Sequence, residues 1–300
     1  MKRDFLTLKD LSREELDALL KKASELKSGK DANQCLLIGK SIGLLFEKAS
    51  TRTRISFQVG IYELGAQAIY LNPSEIQLGR GETIEDTARV LSRYLQGIII
   101  RTFTHQKLER FAQNSAIPVI NGLTDLHHPC QALADLLTIK EKKGKLKGVH
   151  LTYIGDGNNV ANSLIEASAM TGIHFTIACP KGYEPNGTIY KKARSEGAIV
   201  KIVRNPKEAA KAADVLYADV WVSMGQEKES AKREKLFKGY QLNKRLLKLA
   251  KPDVIVMHCL PAHRGEEITD EVIDSPQSVV FDQAENRLHT QKALLELLIK

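Results

Sequence analysis

The run SIGLLFEKASTRTRISFQVGIYELG, residues 41–65, decides the fold. Its first seven residues form a short apolar run of strand length. Ser50 follows almost at once and suits the N-cap of a helix. From Thr51 onward Ile55, Val59 and Tyr62 recur on one helical face, which predicts a helix to about residue 64. A buried strand feeding directly into a capped helix is the repeating unit of parallel α/β sheets. The free N–H groups of such a helix's first turn point at an anion. Here Ser50, Thr51 and Thr53 add hydroxyl donors, and Arg52 and Arg54 add planar guanidinium forks suited to phosphate oxygens, with Lys48 just upstream. The segment reads as the phosphate site of an enzyme acting on a small phosphorylated substrate. Taken as a bare pentamer, a capped surface helix with solvated arginines explains it equally well.

Working outward, the alternation continues. A capping box at Ser12 and Glu15, with Leu11 and Leu16 as a staple, opens a helix over 13–26. Strands are expected at 41–47, 66–71, 97–101 and 117–121, and helices at 50–64, 83–94 and 109–114. A long helix over 128–143 is placed to bridge two domains. After the polar run 140–148 the pattern restarts: strand 149–154, helix 159–171, strand 175–178, helix 187–196, then strands at 199–203, 215–219, 254–258 and 279–281. An amphipathic helix over 283–299 closes the chain, with Leu288, Leu294, Leu295 and Leu298 on its apolar side. At 300 residues the length itself predicts two domains, at ~100–200 residues each.

Composition narrows the class. Hydrophobic residues make up 43% and charged residues 27%, ordinary for a globular protein. No apolar run approaches the ~20 residues of a membrane helix, and MKRDFLTLKD lacks the apolar stretch of a signal peptide, so a cytoplasmic location is expected. Cys35, Cys130, Cys179 and Cys259 are scattered without C-x-x-C spacing, which argues against a disulfide framework or structural zinc. The net charge of +8 invites a nucleic-acid reading. Yet Lys and Glu alternate along the charged stretches as on solvated helix faces, and there is no aromatic RNA-binding motif or basic tail. Anionic small substrates account for the excess.

Two nucleotide motifs are nearly present and fail. Gly39-Lys40-Ser41 resembles the end of a P-loop, but the earlier glycine would have to stand at Gln34. Gly155-Asp156-Gly157-Asn158-Asn159-Val160 follows a strand and opens a helix, but Val160 replaces the third glycine. No acidic residue ends the next strand at Ala178-Cys179-Pro180-Lys181, so a dinucleotide is rejected. Two further features stand out. Arg101 ends the fully apolar strand GIIIR, where open sheets bind ligands. His128 precedes Pro129, which suits the first turn of the bridging helix, and Gln131 shares that turn.

Together 46–54 (FEKASTRTR), Arg101-Thr102 and His128-Pro129-Cys130-Gln131 resemble the carbamoyltransferase family. In the second half, Asp219-Val220-Trp221-Val222-Ser223-Met224-Gly225 and His258-Cys259-Leu260-Pro261 resemble its ornithine branch. The likeness runs from the first helix to Glu285-Asn286-Arg287. It implies two α/β domains, each a parallel sheet flanked by helices, joined by a bridging helix and a returning C-terminal helix. The boundaries expected are 1–142, completed by 283–300, for a carbamoyl-phosphate domain, and 143–282 for an ornithine domain.

The resemblance also implies carbamoyl transfer to the δ-amine of ornithine, giving citrulline and phosphate, as in arginine metabolism. Arg101, His128 and Cys259 would be catalytic. Ser50, Thr51, Arg52, Thr53, Gln77, Gln131, Leu260 and Arg287 would join these three around carbamoyl phosphate. Asn159, Asp219, Ser223 and Met224 would bind ornithine. Gln77 would reach a neighbour's site in a homotrimer or multiple of trimers. No metal or cofactor, no nucleic acid and no membrane are expected. His258, Cys259 and His263 fit no standard zinc spacing. Pro261 is expected to follow a cis bond. Asp219 suits an ammonium, which favours ornithine over aspartate or acetylornithine, with putrescine as the alternative acceptor. A catalytically dead homologue acting as a binding subunit would lack Arg52, Arg101, His128 or Gln131, and none is missing.

Overall fold

A computed structural model describes residues 2–29, 35–77, 81–223, 225 and 227–299. It divides into two compact units: Met1–Leu137 with Glu285–Lys300, and Thr138–Ala284. In chain order the first unit contains α1 (Arg13–Lys27), β1 (Ser41–Phe46), α2 (Thr51–Glu63), β2 (Gln67–Leu71), α3 (Ile84–Tyr94), β3 (Gly97–Arg101), α4 (His105–Asn114), β4 (Val119–Leu123) and the start of α5 (Pro129–Lys143). The second contains β5 (His150–Ile154), α6 (Asn159–Thr171), β6 (His174–Ala178), α7 (Gly187–Ser195), β7 (Val200–Val203), α8 (Pro206–Ala210), β8 (Val215–Ala218), α9 (Ser230–Phe237), α10 (Lys244–Leu247), β9 (Ile255–His258), α11 (Asp270–Ile273) and the start of α12 (Val280–Leu298). The divisions between units fall inside α5 and α12.

The first unit holds a parallel four-stranded sheet in the order β2-β1-β3-β4. Its central strands are buried on both faces, as a helix-covered parallel sheet requires. Ile98, Ile100, Leu108, Phe111 and Val119 form much of one core layer. Both expected caps form: Ser12 with Glu15 closes a capping box on α1, and Ser50 accepts from the Thr53 N–H on α2. The second unit is a parallel five-stranded sheet, β7-β6-β5-β8-β9, with a core that includes Ile154, Leu216, Val256 and Val272.

Three expectations are corrected and one is sharpened. Residues 279–281 are not a strand. Val280 opens α12, and the only sheet-like contact is a bridge from Ser278 to Val256. Three adjacent apolar residues carry no period, so the run could not distinguish a strand from a buried helix start. β4 begins at Val119 and runs to Leu123, because Pro118 has no N–H to give the ladder. α4 begins at His105, four residues before the first expected position, with three polar residues ahead of the buried Leu108. On α2 the core face is Thr53, Phe57, Gly60 and Ile61, whereas Ile55, Val59 and Tyr62 lie on the exposed face.

Strand order fixes where ligands can bind. In the first sheet the chain leaves β1 for β2 and then returns to place β3 on the other side of β1. In the second it runs outward from β5 to β6 and β7, then returns to β8. Open parallel sheets bind ligands beyond the C-terminal ends of the strands flanking such a reversal. The first reversal presents Ser50–Thr53 and Arg101. The second presents the turn 155–159 and Asp219.

Candidate active site

In the first unit, β1 ends in register with β3, with Phe46 opposite Arg101. The Arg101 carbonyl accepts from the Glu47 N–H at 2.8 Å, and the Thr102 N–H bonds to the Leu123 carbonyl at 3.0 Å. Arg101 is thus anchored by its backbone while its side chain is 5% exposed. Thr53 sits one turn into α2, buried. His128 stands just before α5 and Gln131 lies in its first turn, both buried, and from α12 comes Arg287. Arg287 ties these elements together: Nη1 donates to Gln131 Oε1 at 2.6 Å and Nη2 to Thr53 Oγ1 at 3.0 Å. Gln131 Nε2 donates in turn to Asp135 Oδ1 at 2.9 Å, which fixes the amide's orientation. Thr51 is exposed and Arg52 half-buried beside this cluster.

The electrostatics are those of an anion site. Burial, then the charges of Arg287, Arg101 and Arg52, drive His128 well below the usual imidazole range. His128 is therefore a neutral imidazole, able to donate one hydrogen bond without adding charge. Arg54 is turned away from this role, its guanidinium 3.6 Å from the centroid of the Tyr70 ring. Lys48 pairs with Asp125 and lies over Phe103. Cys130 is not a reactive thiol: it donates to the Asn121 carbonyl, and burial pushes it up to about 12. Gln77 is exposed in the segment after β2.

The neighbouring His127 offers a stability test. Burial, then the nearby His105, lower it to about 4 from 6.5. An unfolded chain takes up a proton below 6.5 that the folded one refuses. The stabilisation is therefore complete above 6.5 and is lost as pH falls from 6.5 to about 4. Replacing His127 with Gln should remove about 1.4 kcal/mol per pH unit from the slope of unfolding free energy in that window. Urea unfolding between pH 7 and 4.5 measures it, and equal slopes in both proteins would refute it.

In the second unit, β5 runs into 155–158 and α6 starts at Asn159. Gly157 faces residues 184–185 so closely that a Cβ would lie 2.2 Å from the Pro185 nitrogen. The glycines that mimic a dinucleotide motif thus serve a close backbone approach. Asn158 caps α6 through Oδ1. Its Nδ2 donates to Asp219 Oδ2 at 2.7 Å, and the Tyr153 hydroxyl donates to the same oxygen at 3.0 Å. Asp219 Oδ1 accepts from the Val220 N–H at 2.8 Å and from Cys259 Sγ at 2.9 Å. Burial, then the Asp219 carboxylate, hold Tyr153 well above its usual range, so it remains a donor. Cys259 and Leu260 follow β9, and the Leu260–Pro261 bond is cis. Ser223 is half-buried and Asn159 opens α6. Met224 lies outside the described residues.

Both ring nitrogens of His258 are committed to protein partners: Nδ1 accepts from the Leu260 N–H and Nε2 faces Glu267. His258 therefore does not turn a nitrogen toward an ion. Among the described residues, His263, Glu266 and Glu267 form one group with metal-ligand atom types, and one Glu267 oxygen already accepts from two protein donors.

Two family models match in tandem. The aspartate/ornithine carbamoyltransferase carbamoyl-P binding domain covers residues 3–141, and the Asp/Orn binding domain of the same family covers 147–298. The chain belongs to the aspartate/ornithine carbamoyltransferase family. It is 54% identical to an ornithine carbamoyltransferase of Methanoculleus marisnigri, over 100% of this chain and 97% of that one. It is 56% identical to that of Oceanobacillus iheyensis, over 99% and 94%. Among solved structures, the ornithine carbamoyltransferase from Pyrococcus furiosus superposes with a TM-score of 0.95 at 52% identity, covering 99% of this chain and 97% of that one. The Thermus thermophilus enzyme gives 0.92 at 44%, covering 100% of both.

Within this family frame, three features of the half-sites escaped sequence reading. Asp135 orients Gln131, and Tyr153 and Asn158 orient Asp219. The only sequence signal was the position of Asn158 beside Asn159 at a helix start. Tyr153 and Asp135 read as ordinary positions of a strand and a helix.

Proposed function

We propose that this chain transfers the carbamoyl group of carbamoyl phosphate to the δ-amine of L-ornithine, giving L-citrulline and phosphate. One observation carries the reading. Each unit has its polar cluster at the reversal of its sheet, and the two clusters differ in charge: arginines around a neutral histidine in one, a buried carboxylate in the other. In this reading the first unit binds carbamoyl phosphate and the second binds the amino acid.

The chemistry follows from those groups. The amine lone pair attacks the carbonyl carbon, the bond from that carbon to the phosphate oxygen breaks, phosphate leaves as an anion, and the nitrogen gives up one proton, which the departing phosphate takes. Ser50, Thr51, Arg52, Thr53 and Arg101 neutralise the leaving phosphate. Arg101, His128 and Thr53 stabilise the carbonyl oxygen as it gains charge, and a neutral His128 does so as a hydrogen-bond donor. Gln131, steadied by Arg287, holds the carbamoyl NH2.

Only the neutral amine attacks. With a lysine-like ammonium near ~10.4, exposing the lone pair at pH 7.5 costs about 4 kcal/mol. Asp219 takes the α-ammonium, Asn159 the α-carboxylate, and Ser223 lines the acceptor. Cys259 gives its S–H to Asp219 and so turns sulfur lone pairs toward an amine N–H, which supports a positioning role; Leu260, next in the chain, packs against the core of the second unit.

We further assign the exposed stripe of Ile55, Val59 and Tyr62 to contact between copies of the chain in a trimer, with Gln77 serving a neighbour's site. An acceptor panel tests the function: ornithine, putrescine, aspartate and acetylornithine with carbamoyl phosphate. Citrulline from ornithine should dominate. Putrescine keeps a second ammonium for Asp219 but has no carboxylate for Asn159 to meet. Equal or better turnover of putrescine or aspartate would overturn the assignment.

A further inference from the structure

Glu267 lies outside every motif discussed above, yet it is fully buried. Its Oε1 receives two donors from opposite ends of one loop. His258 Nε2 approaches at 3.0 Å and the His263 N–H at 2.7 Å. Between those ends lie Cys259, Leu260, Pro261 and Ala262. The other His258 nitrogen, Nδ1, accepts the Leu260 N–H at 2.8 Å, which leaves the ring proton on Nε2, facing Glu267. The His258 N–H bonds to Gln283 Oε1 at 2.9 Å, and the Glu267 carbonyl accepts the Leu242 N–H at 2.8 Å. Glu267 is therefore held at its backbone while its carboxylate closes the loop.

The loop needs such a hold. Leu260 has φ +56°, the left-handed region, which a side chain with a Cβ adopts only when its surroundings over-determine it. The loop also delivers Cys259, whose Sγ stands 2.9 Å from Asp219 Oδ1. We infer that Glu267 is a positioning residue: through His258 and the His263 N–H it clamps the 259–262 loop and so sets Cys259 and Leu260 for the reaction. This inference rests on the proposed carbamoyl transfer for its effect on rate, though not for its effect on the loop.

The test uses the full chain with Glu267→Ala, Glu267→Gln and His258→Phe. Two quantities are read: citrulline formation, and alkylation of Cys259 by iodoacetamide followed peptide by peptide, with exposed Cys35 as internal reference. Glu267→Ala should lower kcat by about 10²-fold, the scale of an ångström-level misplacement. It should raise Cys259 labelling relative to Cys35 by roughly tenfold, as expected for a locally loosened segment. Glu267→Gln keeps an amide oxygen that can accept both N–H groups, so it should restore both readouts most of the way. His258→Phe cuts the same tie from the other side and keeps a ring, so it should raise labelling even if the alanine variant does not fold. Unchanged Cys259 labelling in Glu267→Ala or His258→Phe overturns the clamp, whatever happens to kcat. If labelling rises while the wild type makes no citrulline, the clamp stands and the ornithine reading falls.

Discussion

Arg101→Ala should reduce citrulline formation by about 10²–10³-fold, the cost of removing one preorganised donor from a developing oxyanion. Arg101 ends β3 between two strands, opposite Phe46 of β1 and Leu123 of β4, with a register shift between Ile100 and Arg101. Its carbonyl and the next N–H are tied to Glu47 and Leu123. An alanine keeps all of those bonds, so the strand end should survive while the guanidinium is lost. That guanidinium is buried, and its charge is one of those that keep His128 neutral.

On the proposed assignment, removing it takes away a phosphate ligand and a carbonyl-oxygen ligand together. It also weakens the field at His128, in the direction that makes protonation easier. Arg101→Lys keeps the charge but not the planar two-pronged fork, so it should recover only part of the loss. Steady-state kinetics over a carbamoyl-phosphate titration measure the effect. Wild-type-like rates in Arg101→Ala would show that the phosphate site lies elsewhere.

Much of this arrangement was legible in the sequence because apolar periodicity and helix caps are local signals. SIGLLFE and GIIIR announced central strands, and Ser12 and Ser50 announced caps that form. The failures share a cause. Residues 279–281 are apolar without a period, and what makes Val280 helical is the long run of α12 that follows. Ile55, Val59 and Tyr62 mark a face but not which side of it is covered, and their partner would be a surface the isolated chain does not contain.

The site divides in the same way. Residues proposed to touch substrate sit at strand ends and helix starts, where topology concentrates them, and their types betray them. Residues that hold those residues do not. Asp135 is one turn along α5 from Gln131, Tyr153 is an inward strand position, and Glu267 lies in a loop between a half-buried Glu and an Ile. Each acts through a hydrogen bond whose partner, apart from the helical neighbour of Asp135, is set by tertiary folding rather than by spacing.

Asp219→Asn should lower kcat/KM for ornithine by about 10²–10³-fold, the scale of removing one member of a buried, hydrogen-bonded charge pair. It should leave carbamoyl-phosphate binding, measured by calorimetry without ornithine, unchanged. The carboxylate receives Tyr153 and Asn158 on one oxygen and Val220 and Cys259 on the other. An amide in its place has only one acceptor oxygen. Whichever way it turns, its NH2 faces two donors, so either the Tyr153–Asn158 pair or the Val220–Cys259 pair loses its partner and a buried donor is left unsatisfied.

On the proposed assignment, the lost negative charge removes the counter-ion for the α-ammonium, and the lost geometry releases Cys259 or the start of α6. Both effects fall on the acceptor and neither falls on the arginines of the first unit. Tyr153 remains a donor under either reading, because burial is the first cause of its raised pKa and the Asp219 charge only the second. A split in which ornithine kinetics collapse while carbamoyl phosphate still binds is therefore the signature of the assignment. A fall of less than about tenfold in kcat/KM would make Asp219 a structural acid that merely satisfies its four donors, and would move the ammonium site to another residue.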